Sequence, residues 1–529
     1  MADSHAWWKK GIVYQIYPRS FQDSNGDGIG DLPGIISRLN YLCALGVTAV
    51  WLSPIFPSPM ADFGYDICDY TNIDPIFGTL SDFDRLVTQM HRRGLKLILD
   101  FVPNHTSDLH PWFLESRASR SSARRNWYIW HDPAPDGGPP TNWLSEFGGP
   151  AWTFDPSSGQ YYYHAYLPQQ PDLNWRNPQV RAAMHDVMRF WLDRGVDGFR
   201  VDAIHMLIED EALRDNEPNP QWQPGQSPAR QLLRTHTADL PETHTHVMGM
   251  RAVTDAYEDR VLIGEAYLPI ERMMRYYGDD LSGFHLPFNF HLIRSPWQSR
   301  AIAALANDYE AALPPGGWPN WVLGNHDKPR VASRLGGIPQ ARLAALLLLT
   351  LRGTPTIYNG EEIGMVDGEI RPDEVQDPWG KNAPGFGRDP CRTPMQWSDE
   401  PGAGFTRGTP WLPIPASAAT CNVKMQSEDP DSMLTFYRRL IHLRQREPAL
   451  SVGTYQLLEV TDSTMTFERT SGDRCLIVAV NFSDQSQAAP LMLGQRRLLS
   501  THDGARERSH EITLLAPFEG IVCSKPALS

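Results

Sequence analysis

Three acidic residues stand at the ends of short apolar runs: Asp202 in GFRVDAIH, Glu265 in VLIGEAY and Asp327 in LGNHDKPR. Carboxylates in this setting suit one kind of work, in which one attacks or stabilises a cationic carbon while another carries a proton. Arg200 precedes Asp202 by two residues, and on an extended segment residues two apart share a face. A guanidinium there favours an ionised Asp202, suited to act as nucleophile; the alternative is a structural ion pair. Glu265 follows the apolar run VLIG, a setting that raises a carboxyl pKa and retains the proton of a general acid. If the two carrying strands are neighbours about 4.8 Å apart, the carboxyls approach the roughly 5 to 5.5 Å separation of a retaining glycosidase. His105, His326 and Asp327 add groups suited to sugar hydroxyls and to an oxocarbenium-like transition state. Metal ligation by the two histidines competes with that reading, but neither HxxH nor HExxH spacing is present.

These residues need a scaffold that gathers them, and the chain repeats a suitable unit. An amphipathic run, a Gly and a short apolar run recur around Gly46, Gly94, Gly195 and Gly353. Gly just past a helix takes the left-handed conformation that ends it, and the following run reads as a strand buried on both faces. In residues 81 to 102, Ser81 and Asp84 suggest a capping box, and Phe83, Leu86, Val87 and Met90 share one helical face. Further strand candidates at 12–18, 261–266, 284–290 and 318–325 bring the total to eight. Alternating helices and buried strands mean an α/β fold with a parallel sheet, expected to close as a (β/α)₈ TIM barrel, with an open doubly wound sheet as the alternative. In a barrel the carboxyl ends of all strands open onto one face, where the acids would meet.

The expected division is a barrel over 1–103 and 173–449, an insertion over 104–172 after the third strand, and a C-terminal domain over 450–529. The insertion is rich in Pro, Gly, Trp and Tyr and lacks helical periodicity, while 206–250 and 365–395 read as polar loops. Short alternating runs such as TMTFER, CLIVAVNF and RRLLSTHDG predict an antiparallel β-sandwich at the C-terminus.

A net charge of -14 argues against nucleic acid, which rewards a concentrated positive surface. No segment is long and apolar enough to span a bilayer, no secretory signal is read at the N-terminus, and six scattered cysteines suit reduced thiols, so a cytoplasmic home is expected. A neutral polar ligand fits this composition, and some of the 17 Trp, 18 Tyr and 20 Phe could serve as stacking platforms for one. In DSNGDGIGD, oxygen-bearing side chains alternate at Asp23, Asn25 and Asp27, with Asp31 beyond. Such hard oxygen ligands suggest a structural Ca²⁺ (or Mg²⁺) loop, although the distal Glu of an EF-hand is missing; the alternative is a solvated acidic turn.

From about Trp7 to Trp397 the chain carries, in order, VYQIYPRSF, GDGIGDLPGI, GVTAVWLSP, FGYDICDY, DFVPNHTS, QPDLNW, GFRVDAIH, GEAY, GNHDKPR, GTPTIYNGEEIG and CRTPMQW. This series resembles the α-amylase superfamily of glycoside hydrolases, in particular its α-glucosidase and oligo-1,6-glucosidase branch. The resemblance implies the same barrel, insertion and C-terminal domain, with Asp202 as nucleophile, Glu265 as proton donor and Asp327 as transition-state stabiliser. It further implies that Asp66 and Arg392 pair to close the pocket around a terminal glucose, that Tyr65 stacks on that glucose, and that Asp23, Asn25, Asp27, Asp31 and the Ile29 carbonyl bind calcium. The expected substrate is a small oligosaccharide or α-glucoside opened from its non-reducing end. Ala203 follows the nucleophile where α-1,6-preferring members tend to carry Val, which implies α-1,4 preference; QPDLN does not discriminate. A glucosyl-transferring or isomerising relative, trehalose- or isomaltulose-forming, is the alternative, and a non-catalytic barrel the remote one.

Overall fold

Each of the eight apolar runs forms a strand: Val13–Ile16, Ala49–Leu52, Lys96–Phe101, Gly198–Val201, Val261–Gly264, Leu286–Asn289, Asn320–Val322 and Thr354–Tyr358. The structure is a computed structural model describing residues 6–489, 495–502 and 514–525. Every strand pairs in parallel with its successor, and the eighth returns to the first with Val13 opposite Thr356, so the sheet is a closed barrel and not an open one. Inward-facing Val13, Trp51, Ile98, Ile263, Phe288 and Val322 fill its interior, while outward-facing Tyr14, Val50, Leu97 and Leu262 pack in the main core with the helices. Burial on both faces is why these strands read as continuous apolar runs.

Gly46, at the end of helix Leu39–Leu45, has φ 93°, which only Gly adopts without strain. A Cβ there would also lie 2.8 Å from Ile441 Cγ2, so helix end and neighbour are fitted together. The capping box of helix Leu80–His91 is built by Thr79 and Asp82, two residues before the expected Ser81 and Asp84. Thr79 Oγ1 accepts from the Asp82 N–H, and Asp82 Oδ2 accepts from the Thr79 N–H. The expected apolar face of Phe83, Leu86, Val87 and Met90 is buried.

Between the third and fourth barrel strands stand helix Pro111–Ala118 and a three-stranded antiparallel sheet of Trp130–His131, Gln160–Tyr163 and Trp152–Asp155. The helix was not expected in an aperiodic stretch: Pro111 occupies its first turn, and His110 caps it by accepting from the Trp112 N–H at 3.0 Å. Residues 206–250 likewise are not loop throughout, because Glu242–Asp255 is a helix burying Val247, Met250 and Val253.

At the C-terminus a five-stranded antiparallel sheet runs in the order Thr454–Val460, Thr464–Ser471, Arg474–Asn481, Gly520–Ser524, Arg496–Ser500. A two-stranded sheet covers it, with Ile477, Leu515 and Ile521 between the two layers. Buried Arg469, on the sheet-domain strand Thr464–Ser471, fastens that domain to the barrel by donating to the Thr350 carbonyl, while Arg444 of the barrel donates to those of Leu349 at 2.8 Å and Gly353 at 2.6 Å beside it. Residues 1–5, and 503–504 at the end of RRLLSTHDG, lie outside the described residues. Among the described residues no helix is long and apolar enough to cross a membrane.

Candidate active site

The fourth barrel strand brings Arg200 to its carboxyl end, and one guanidinium gathers three carboxylates from three strands. Arg200 Nη1 lies 2.7 Å from both Asp100 Oδ1 and Asp202 Oδ1, and Nη2 lies 2.7 Å from Glu265 Oε1. Arg200 is itself 1 % exposed, so it supports the acids from behind. Asp202, Glu265 and Asp327 all line one cavity of about 660 Å³ at the mouth, together with Tyr65, His105 and His326.

The expectation that Arg200 keeps Asp202 ionised needs correcting. Burial, with repulsion from Glu265 and Asp100, outweighs Arg200 and holds the Asp202 carboxyl well above the usual range. Burial likewise pushes Asp100 up to about 6, against the pull of Arg200. Asp202 and Asp100 draw on the same cation, so their ionisation is coupled. The apolar run before Glu265 is also not what its carboxylate meets: its oxygens contact Arg200 and accept from the Ala203 N–H at 3.0 Å. Ala203 aims that N–H from a left-handed backbone, φ 46°, a conformation with a steric cost for any residue with a Cβ.

Asp327 stands in a different field. Burial pushes its carboxyl up, but the charges of Arg388, Arg392 and Lys328 more than offset this and hold it below the usual carboxylate range. Arg392 Nη2 lies 2.9 Å and Arg388 Nη1 3.3 Å from Asp327 Oδ1. His326 is kept neutral chiefly by burial. It accepts at Nδ1 from Gln15 Nε2 at 2.8 Å, which leaves the proton on Nε2, 2.7 Å from the Tyr65 hydroxyl. Tyr65 in turn donates to Asp100 Oδ2 at 3.1 Å and stacks on His326. His105, pushed down to about 3 by burial, is held by Gln170 and the Tyr65 carbonyl.

The expected pair of Asp66 and Arg392 does not form. Asp66 is fully buried and accepts from Ser58 Oγ and the N–H groups of Ala61 and Asp62, at 2.8 to 2.9 Å. Arg392 is fully buried behind Asp327 and the His326 carbonyl. The pair that closes the cavity is Asp62 and Arg388, at 2.6 Å, with Asp377 on the same guanidinium at 2.6 Å. Both partners lie four residues before those expected. Left-handed backbone at Met60 and Phe63 (φ 65° and 47°) swings Asp62 to the cavity, and Asp66 holds that turn from within. Reading MADFGYD and GRDPCR in full, not from FGYD and CRTP onward, was the available signal.

The loop at 23–31 is folded on itself. Asp23 accepts from the N–H groups of Asn25, Gly26 and Gly28, and Asp27 from those of Ile29 and the Asn25 amide. Asp31 caps helix Leu32–Ser37 through the Gly34 N–H and accepts from Ser24. Among the described residues no three His, Cys, Asp or Glu side chains converge as a metal cluster.

A barrel whose mouth presents three acids, neutral histidines and an aromatic wall around one cavity defines an enzyme that works on a polar ligand through carboxylates. The chain belongs to the alpha-amylase family: residues 15–453 match the model of the alpha amylase catalytic domain. It is a glycoside hydrolase. It is 43% identical over 528 residues to a "Probable alpha-glucosidase" of Rhizobium meliloti, covering 96% of both chains. It is 39% identical to an "Oligo-1,6-glucosidase" of Halalkalibacterium halodurans, covering 98% of this chain and 99% of that one. Among solved structures, the alpha-glucosyl transfer enzyme XgtA superposes with TM-score 0.94 at 40% identity, covering 99% of this chain and 100% of that one.

Proposed function

We propose that the protein is an exo-acting, retaining α-glucosidase that releases α-glucose from the non-reducing end of short α-1,4-linked glucosides. The observation that carries this reading is the placement of Asp202 and Glu265 on the two arms of one guanidinium at the cavity floor. Asp202 attacks the anomeric carbon as the bond to the leaving oxygen breaks, and Glu265 delivers a proton to that oxygen. Water then loses a proton to Glu265 and attacks the same carbon, which releases Asp202 and restores the original configuration. Developing positive charge on the sugar favours the ionised form of Asp202. Asp327, held ionised by its arginines, faces the ring.

The exo reading is supported by the Asp62 and Arg388 ion pair at the cavity wall. Asp62→Asn is expected to lower kcat/KM for maltose by about 10²-fold, the cost of unpairing one member of a buried charge pair at a binding wall. Steady-state kinetics check this, and an unchanged kcat/KM would remove the pair from substrate binding. The α-1,4 reading rests on the small Ala203 beside the nucleophile. Product time courses from maltose, isomaltose, sucrose and maltotriose test it: maltose and maltotriose should be consumed first, with α-glucose released from maltotriose one unit at a time. Preferential use of isomaltose would overturn the linkage reading. Accumulation of trisaccharides from maltose would favour glucosyl transfer, the activity by which XgtA is named.

The loop at 23–31 is proposed to bind a structural Ca²⁺ through Asp23, Asn25, Asp27, Asp31 and the Ile29 carbonyl. The donor types fit a hard cation, although their oxygens also accept hydrogen bonds within and beside the loop. Dialysis against EDTA is expected to lower Tm by about 5 °C or more and added Ca²⁺ to restore it. Identical melting curves would leave the loop as a hydrogen-bonded turn.

A further inference from the structure

Beyond Glu265 the cavity wall changes sign. Tyr267 follows Glu265 by two residues and Lys328 follows Asp327 by one, and both line the cavity with Arg230, Arg234 and Arg294. The Arg294 guanidinium lies 4.8 Å, and the Lys328 ammonium 5.4 Å, from the centre of the same Tyr267 ring. That ring is a fixed platform, stacked on Phe290 at 4.3 Å and 12°. Arg234 is matched by Glu146. Among the described residues Arg230, Arg294 and Lys328 enter no ion pair.

Like charges brought this close repel one another, and the nearby acids offset this only in part. Burial lowers Lys328, with Arg294 and Arg230 pushing the same way against Asp327 and Glu265; burial also lowers Arg294, with Arg230 and Arg234 pushing the same way against Tyr267 and Glu146. A bound anion would relieve this repulsion, and the water-poor setting strengthens its attraction. A neutral sugar would gain only ordinary hydrogen bonds from the same groups.

We propose that this wall selects α-glucosides whose leaving group carries an oxyanion, a carboxylate or a phosphate, over neutral α-glucosides of the same shape. The inference rests on Glu265 marking the leaving-group side. The reaction is unchanged: the bond from C1 to the leaving oxygen breaks, water supplies a hydroxyl to glucose and a proton to the leaving group, and the oxyanion departs intact.

Two matched pairs test it. Maltobionate and maltitol differ by a carboxylate, and maltose with or without a phosphate on O6 of its reducing glucose differs by that phosphate. The expected result is a kcat/KM about tenfold higher for the anion in at least one pair, shrinking as salt is raised. The favoured pair identifies carboxylate or phosphate as the group read. In Arg294→Gln and Lys328→Gln the ratio should fall toward one, whatever happens to neutral turnover. A ratio of one or less in both pairs with wild type, or ratios unaltered in both variants, would overturn the proposal. Hydrolysis of p-nitrophenyl α-glucoside, run in parallel, separates the failures: a protein active on it but indifferent to the anion loses only this inference, whereas one inactive on every α-glucoside loses the glucosidase reading as well.

Discussion

Asp202→Ala should reduce kcat on p-nitrophenyl α-glucoside by at least about 10⁴-fold, and azide should restore turnover with β-glucosyl azide as the product. Removing the carboxylate opens a space on the face of the sugar it attacks, and a small anion entering there displaces the activated leaving group with inversion. Glu265→Ala makes the opposite product. With Asp202 intact the covalent glucosyl-enzyme still forms from an activated aryl glucoside, its breakdown is slow for want of a base, and azide opens it to α-glucosyl azide. The anomeric configuration therefore assigns the two roles independently of rate. Identical azide products from the two variants, or wild-type turnover by Asp202→Ala, would refute the double displacement.

Arg200→Leu is expected to cost both activity and stability, because three carboxylates would lose the cation they share. Breaking a buried ion pair by removing one partner typically costs about 3 to 5 kcal/mol. The pH dependence gives the effect its signature. Asp100 already has a folded pKa raised to about 6, and Asp202 is raised as well. Without Arg200 these values rise further, so the folded state binds more protons than the unfolded chain and stability falls as pH rises from the unfolded carboxyl range upward. Tm measured at pH 4, 6 and 8 should show the gap to wild type widest at pH 8 and narrowest at pH 4. A gap of the same size throughout would mean that the guanidinium contributes packing and not charge compensation.

The amino-acid order alone determined the scaffold and which residues stand at its working end. Eight apolar runs, three of them preceded by a helix-ending Gly, specify the barrel because each element's local preference agrees with burial on two faces, although the helix before Gly353 already ends at Thr350; the acids at 202, 265 and 327 follow directly from where those runs stop. Short-range signals were less secure where two solutions compete within a few residues, as with Thr79 against Ser81 for the helix cap. What only the tertiary structure decided was how distant charges are shared. Asp62 meets Arg388 across 326 positions, and left-handed turns at Met60 and Phe63 choose it over Asp66. Asp100 joins Asp202 and Glu265 on one guanidinium, so their protonation is a property of the group. Pattern along a chain reports which face a residue takes, whereas electrostatic partnership depends on distances in space between segments whose separation in sequence carries no such information.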